Sequence, residues 1–262
     1  MLSNNRISFV KSLHQKKNRF AEGLFLAEGD KLVREYLQSD FQVEEVYAQS
    51  DWLKEHGKLI GIGVESYGAT SKDLERLSTL VTAPDVIAVV KVPEVRIHLS
   101  EYFSGLTLIL DGIRDPGNMG TIIRTADWFG VSRIVASDDS AEHWNPKVVQ
   151  ASMGSLTRIR IVNYELTNFF SELNSFARTN NRDVLPVYGT FMDGKNIYKE
   201  ELTAEGFIVI GNEANGIRET TEPFVNHRLS VPSFSEGPAK AESLNAAIAT
   251  ALVLAEFRRP KG

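Results

Sequence analysis

A chain of 262 residues that is 42% hydrophobic can bury a substantial core, and its length sits where one large domain gives way to two ordinary ones, so two are expected. The absence of cysteine excludes a disulfide framework and any thiolate metal site; the five histidines (His14, His56, His98, His143, His227) show no ligand spacing, so no metal is expected either. A net charge of −5 gives no global sign of a nucleic-acid partner, and no apolar run is long enough to span a bilayer.

The N-terminal residues are locally different. Residues 1–35 hold seven Lys/Arg against four Asp/Glu, concentrated in "KSLHQKKNR", where Lys16, Lys17 and Arg19 are candidates to contact a nucleic acid; a solvated helix face is the competing reading. Arg6, Lys11, Lys16, Lys17 and Arg19 with no acid in the first 21 residues faintly resemble a transit peptide, but a cytoplasmic bacterial-type protein is the expectation. Helices are predicted at "SFVKSLHQKKNRF", "DKLVREYLQ", "DWLKEHG" and "SKDLERLSTL", with strands at "VEEVYA", "VESYG" and "DVIAVVKV". They make a small α/β domain, residues 1–98, joined through "PEVRIHLSEYFSG" to a second domain, residues 104–262. There the apolar runs "LTLILD", "RIVAS", "IRIV", "VLPVYG", "FIVIG" and "RLSV" alternate with helical stretches, the pattern of a parallel sheet covered on both faces.

Ligands of open α/β sheets gather beyond the carboxyl ends of the strands, which directs attention to three loops. After "LTLILD", Pro116 and Gly117 make a turn, and Asn118 and Thr121 are both plausible N-caps for the helix "TIIRTADWFG". At about 100° per residue Met119, Ile122, Ile123, Ala126 and Phe129 share one face and Arg124 lies off it, so Arg124 is either an ordinary surface residue paired with Asp127 or Asp115, or a functional one. In "FIVIGNEANGI" a buried strand runs into a turn where Gly211 and Gly216 permit close backbone approach, and Glu213 is a solvated turn carboxylate or a site residue. In "RLSVPSFSEGPAKAESLNAAIATALVLAEFRR" a strand ends at Val231, and a long apolar helix follows with Ser243 as its expected N-cap and Asn245 in support. The chain has no GxGxxG after a strand, no P-loop and no GxSxG elbow.

Taken in order, "DPGNMGTIIRTADWFG", "GNEANGI" and "SLNAAIATALVLAEF" closely resemble the three signature motifs of the SpoU/TrmH family of RNA ribose 2′-O-methyltransferases, within the SPOUT superfamily. The opening "RISFVKSLHQKKNRFAEGLFLAEGDKLVREYL" resembles that family's substrate-binding domain, a small ribosomal-protein-like α/β module. The resemblance implies an α/β protein whose C-terminal parallel sheet is threaded into a trefoil knot, a homodimer, and S-adenosylmethionine as cofactor. It places Gly189, Ile210, Gly211, Asn212, Val231, Leu244 and Asn245 at the cofactor, and Asn118, Arg124, Glu213, Ser243 and Asn245 on catalytic positions, with Arg124 also touching RNA. One departure is the loop from Ser233 to Glu242, several residues longer than is common in the family.

Methyl transfer from a sulfonium to a hydroxyl requires the reacting atoms held in line at roughly 3–3.5 Å. Because a guanidinium rarely gives up its proton, phosphate clamping suits Arg124 better than a base role. A 2′-hydroxyl nucleophile restricts the substrate to RNA. Ribosomal RNA is the first expectation and transfer RNA the second; a ring-nitrogen methylase and a catalytically inactive RNA-binding relative are the competing classes. No membrane partner is expected.

Overall fold

The structure, a computed structural model, describes residues 2–235 and 243–260, and the chain divides into two compact units. The first comprises residues 1–94 together with residues 142–157; the second comprises residues 95–141 and 158–262.

In the first unit the order is α1 (Asn4–Ser12), α2 (Lys16–Glu22), β1 (Leu24–Glu28), α3 (Asp30–Leu37), β2 (Val43–Ala48), α4 (Ser50–His56), β3 (Glu65–Gly68), α5 (Ser71–Leu77) and β4 (Val86–Lys91). Its sheet runs β1-β4-β2-β3, with β4 antiparallel to both neighbours and β3 parallel to β2. Ile7, Val10 and Leu13 from the α1 region meet Leu74 and Leu77 of α5 over Leu26, Ile87 and Val89 of the sheet.

Two expectations need correction here. The single helix predicted through "SFVKSLHQKKNRF" is two helices, because side chains take over the carbonyls where the first one ends. Asn18 Nδ2 donates to Ser12 O (2.9 Å) and Arg19 Nη1 to Leu13 O (2.9 Å), while His14 Nε2 turns away to Leu77 O (2.7 Å). The helix predicted over residues 71–80 stops at Leu77, where Ser78 turns extended and its hydroxyl binds Glu28.

The second unit contains β5 (Leu106–Asp111), α6 (Pro116–Trp128) and β6 (Arg133–Ala136). After α7 (Pro146–Ser152), which belongs to the first unit, come β7 (Arg160–Asn163), α8 (Leu166–Thr179), β8 (Val187–Asn196), β9 (Gly206–Gly211), β10 (His227–Ser230) and α9 (Ala246–Phe257). The sheet order is β10-β8-β9-β5-β6-β7 and every pairing is parallel. Its two central strands, β5 and β9, are apolar and buried nearly throughout, as strands covered on both faces must be.

β8 starts later than "VLPVYG" suggests and runs on through the polar "TFMDGKN". Gly194 permits that extension: a Cβ there would fall 2.4 Å from the Leu229 carbonyl carbon of β10.

Candidate active site

The loops at the carboxyl ends of β5, β9 and β10 carry the polar residues singled out above. α6 begins earlier than expected. Pro116 takes the first helical position and Asp115, neither Asn118 nor Thr121, is the N-cap, its carboxylate accepting from the Asn118 amide N–H at 2.8 Å. The Asn118 side chain, freed of capping, donates through Nδ2 to Glu213 Oε1. Its Oδ1 accepts from Asn245 Nδ2 at 2.9 Å.

α9 is capped by Asn245 rather than Ser243: Asn245 Oδ1 accepts from the amides of Ala247 (3.0 Å) and Ile248 (3.2 Å). Ser243 instead donates its hydroxyl to Glu213 O at 3.2 Å, and the Ala246 amide donates to Glu213 Oε1 at 3.3 Å. Three segments far apart in sequence thus close a ring of Asn118, Glu213, Ser243 and Asn245, whose carboxylate sits at the start of a helix where the backbone dipole favours negative charge.

Arg124 is exposed, and Met119, Ile122, Ile123 and Ala126 are buried as the helical pattern predicts, while Phe129, expected on the same face, is the C-cap beyond the end of α6 and only half-buried. Neither neighbour that could have paired with it does so: Asp127 binds Arg158 (2.9 Å), and the Asp115 carboxylate caps α6. Among the described residues the Arg124 guanidinium has no partner.

Of the predicted cofactor positions Ile210 and Gly211 end β9 and Gly189 lies within β8 rather than at its end, while Asn212 and Val231 follow strands and Leu244 and Asn245 precede α9. Gly189 pairs with Val209 of β9 and Arg228 of β10, and Ile210 and Gly211 close β9 beside Leu110 and Asp111. Gly211 must be glycine, since a Cβ would lie 2.2 Å from the Gly216 carbonyl carbon where the following turn folds back. That turn is sealed by Asn212 N–H to Gly216 O (3.0 Å) and Gly216 N–H to Asn212 O (2.8 Å), and Asn212 Nδ2 donates to Gly112 O (2.9 Å). Val231 is half-buried and Leu244 exposed. Residues 236–242 of the long loop from Ser233 to Glu242 lie outside the described residues.

In the N-terminal basic stretch the structure separates the three candidates. Lys16 and Lys17 are exposed, and the Lys16 ammonium stands 5.4 Å from the ring centroid of Phe20, itself exposed. Arg19 is corrected: it is 2% exposed, its guanidinium engages both Glu142 oxygens and Leu13 O, and it has nothing left to offer an RNA surface. Among the described residues no group of three His, Asp or Glu could hold a metal, and no helix is long and apolar enough to cross a membrane.

A second polar cluster has almost no signal in the sequence. Asp111, at the end of β5, is fully buried and accepts from the Arg218 backbone N–H (3.0 Å) and from Arg218 Nε. Arg218 also reaches Asp139 (3.3 Å), which Arg114 (2.9 Å) and the Ser137 hydroxyl (2.8 Å) bind as well. Partial burial acts to raise the Asp139 pKa, but the Ser137 and Arg114 hydrogen bonds and the charges of Arg218 and Arg114 outweigh it and hold the group below the ordinary carboxylate range. An aspartate closing the apolar run "LTLILD" is the one sign of this cluster in the sequence.

Comparison with known proteins agrees with this architecture. The profile of the SpoU rRNA methylase family matches residues 105–255, and that of the MRM3-like substrate-binding domain matches residues 4–88. The Bacillus subtilis 23S rRNA (guanosine(2553)-2′-O)-methyltransferase RlmP is 29% identical over 256 residues, which are 97% of this chain and 96% of the relative. A solved TrmH-family protein from Porphyromonas gingivalis superposes with a TM-score of 0.85 at 36% identity, with 99% of each chain covered. The SpoU methyltransferase AviRb from Streptomyces viridochromogenes, solved with S-adenosylmethionine, superposes with a TM-score of 0.84 at 25% identity and 98% coverage of each.

Fold and site define an RNA methyltransferase that uses S-adenosylmethionine. The chain belongs to the SpoU rRNA methylase family.

Proposed function

We propose that this protein transfers a methyl group to a ribose 2′-hydroxyl of 23S ribosomal RNA in the cytoplasm. The observation that carries the reading is the set of hydrogen bonds that ties Asn118, Glu213, Ser243 and Asn245 together beyond the strand ends, with Arg124, which has no partner among the described residues, on the same helix as Asn118. A relative that had lost catalysis would have no need to keep this set intact. The sequence neighbours RlmP and RlmB act on 23S rRNA riboses, which favours that target over transfer RNA.

The residues present suit the cofactor. Val231 and Leu244 offer apolar surface for a nucleoside, Gly211 lets the following turn fold close against the end of β9, and Gly189 and Asn212 add backbone at the neighbouring positions; Ile210 is buried, at 1% exposure, and offers no surface of its own. S-adenosylmethionine, when bound, supplies the methyl group as an activated sulfonium. Glu213, fixed by Asn118 and the Ala246 amide, presents a carboxylate of set direction to the incoming ribose. Asn118 holds that carboxylate and is itself held by Asn245, so the site needs little reorganisation when substrate arrives. Arg124 clamps the phosphate beside the target nucleotide, for which the rigid guanidinium fork is suited.

The working unit is a homodimer. Ile248 (53% exposed) and Leu252 (36%) form, with Ala255, an uncovered apolar face on α9, and Trp128 of the adjoining α6 is 86% exposed. A second copy covers this surface. Light scattering of Leu252→Glu should report monomer where the parent reports dimer; a monomeric parent refutes the assembly.

Mapping 2′-O-methyl groups in RNA from cells with and without the gene tests the reaction. One modified 23S rRNA ribose should disappear. Loss confined to transfer RNA overturns the target, and loss of a base methyl group overturns the chemistry.

A further inference from the structure

We propose that Arg218 is a positioning residue for methyl transfer: by clamping the buried carboxylate of Asp111 it fixes the loop that carries Glu213 against the loop that carries Asn118. This rests on the reading of Glu213 and Asn118 as site residues. Asp111 is the last residue of central strand β5 and pairs in register with Gly211, the last residue of β9. The two loops of the site therefore leave the sheet side by side from this pair of residues.

The Asp111 side chain is fully buried, and its described hydrogen-bond partners both come from Arg218: the backbone N–H on one oxygen and Nε on the other. A buried carboxylate is tolerated only where charge and hydrogen bonds compensate it. Arg218 thus has a fixed place, and since it lies directly after Ile217, which is 7% exposed, the turn from Asn212 to Gly216 is held at both ends: by β9 before it and by the clamp after it. The same guanidinium reaches Asp139, which Arg114 of the loop after β5 also binds. Ser137 and Ser140, from the segment that carries Asp139, accept the amides of Gly112 (2.9 Å) and Ile113 (3.2 Å). Arg218 thereby touches both segments that support the approach to Asn118.

Removing the guanidinium leaves the Asp111 carboxylate buried with half its hydrogen bonds, and the least costly relief is for water to enter and the turn to lift. Glu213 would then move away from Asn118 and the Ala246 amide. The chemical step suffers, while RNA affinity, which depends on other surfaces, does not.

The test is single-turnover methyl transfer with RNA and cofactor titrations on Arg218→Met, Asp111→Asn and the double variant. Arg218→Met should lower kcat tenfold or more with the RNA dissociation constant within twofold, at a temperature where circular dichroism reports a folded protein. The double variant, which removes the buried charge together with its partner, should recover a large part of that loss. Three results overturn the proposal: an unchanged kcat in folded Arg218→Met; a weakened RNA affinity with a shallower salt dependence, which makes Arg218 an RNA contact; or no recovery in the double variant. Asn118→Ala and Glu213→Ala measured alongside separate this failure from failure of the site itself, since both keep their rate only if the site is misassigned.

Discussion

Two arginines stand in basic or polar stretches of the two units and meet opposite fates. Arg19 belongs to the most basic segment of the chain, yet it is buried against Glu142, a residue 123 positions away. Arg124 sits on a helix where two aspartates could have neutralised it, yet both are engaged elsewhere and it is exposed, with no partner among the described residues. Local charge density therefore misdirects in the first unit, where the compensating acid comes from distant sequence. In the second, helical phase is the better guide, because it reports which face a side chain leaves the helix from.

The largest effect expected from this contrast is on stability. Arg19→Met strands Glu142 in a buried site and should cost about 3–5 kcal/mol in urea denaturation, the usual consequence of breaking a buried pair from one side. The salt dependence of RNA binding by the folded fraction should stay as it was. A shallower salt slope with unchanged stability would return Arg19 to the RNA surface and erase the contrast.

Arg124→Ala should show the reverse pattern. Stability should stay within about 0.5 kcal/mol, as for an exposed helix position, while kcat falls a hundredfold or more, about 3 kcal/mol at 1.36 kcal/mol per decade. Cofactor affinity should be retained. Arg124→Lys should remain severely impaired if the guanidinium clamps phosphate, because lysine keeps the charge and loses the fork. Near parental turnover in the alanine variant would make Arg124 a bystander.

A smaller effect is expected from the two lysines that the first unit does expose. Lys16→Glu with Lys17→Glu should raise the RNA dissociation constant and flatten its salt dependence by roughly 0.7–0.9 for each phosphate no longer neutralised. Phe20→Ala, which removes a stacking surface next to Lys16, should weaken binding without changing that slope. Unaltered binding in both makes this the solvated helix face that composition alone also allowed.

The smallest effect is on acid sensitivity. Asp139 in the second unit is held below the ordinary carboxylate range, and so is Asp73 in the first, through backbone and side-chain hydrogen bonds from Thr70. A depressed carboxylate stabilises the fold fully above its unfolded pKa of about 3.9 and loses that contribution as pH falls through the folded value. Thermal midpoints between pH 3 and 7 should therefore decline at the acid end. Asp139→Asn should flatten part of that decline, by less than about 1 kcal/mol given its exposure to solvent; an unaltered acid limb would remove Asp139 from the account.

What is legible in the sequence follows the same physics. The buried parallel strands stand out because strands covered on both faces must be apolar throughout, and the ring of Asn118, Glu213, Ser243 and Asn245 is legible through motifs at their ends. β1 goes unread although it is longer than β6 and β7, which are read: "LFLAE" follows α2 through the single residue Gly23, with no loop to mark its start, and one of its covering groups, Trp144, stacked on Phe25 at 4.7 Å, comes from far along the chain. The caps at Asp115 and Asn245 differ from those expected at Asn118 or Thr121 and at Ser243, because several neighbouring residues could each serve as a cap and only the tertiary partners of Asn118 and Ser243 decide among them.

Residues 142–157 belong to the first unit although the chain has by then built β5, α6 and β6 of the second. A ribosome delivers the chain from its N-terminus, and domains ordinarily complete themselves in that order. Here the unit that begins first cannot be finished first: until residues 142–157 have been synthesised, Arg19 lacks its carboxylate and the ring of Phe25 lacks Trp144. A nascent chain halted at residue 98 should thus hold an unfinished module, open to proteases along the side that α7 will later close, and the same incompleteness would follow the module into any graft that copies residues 1–98 alone.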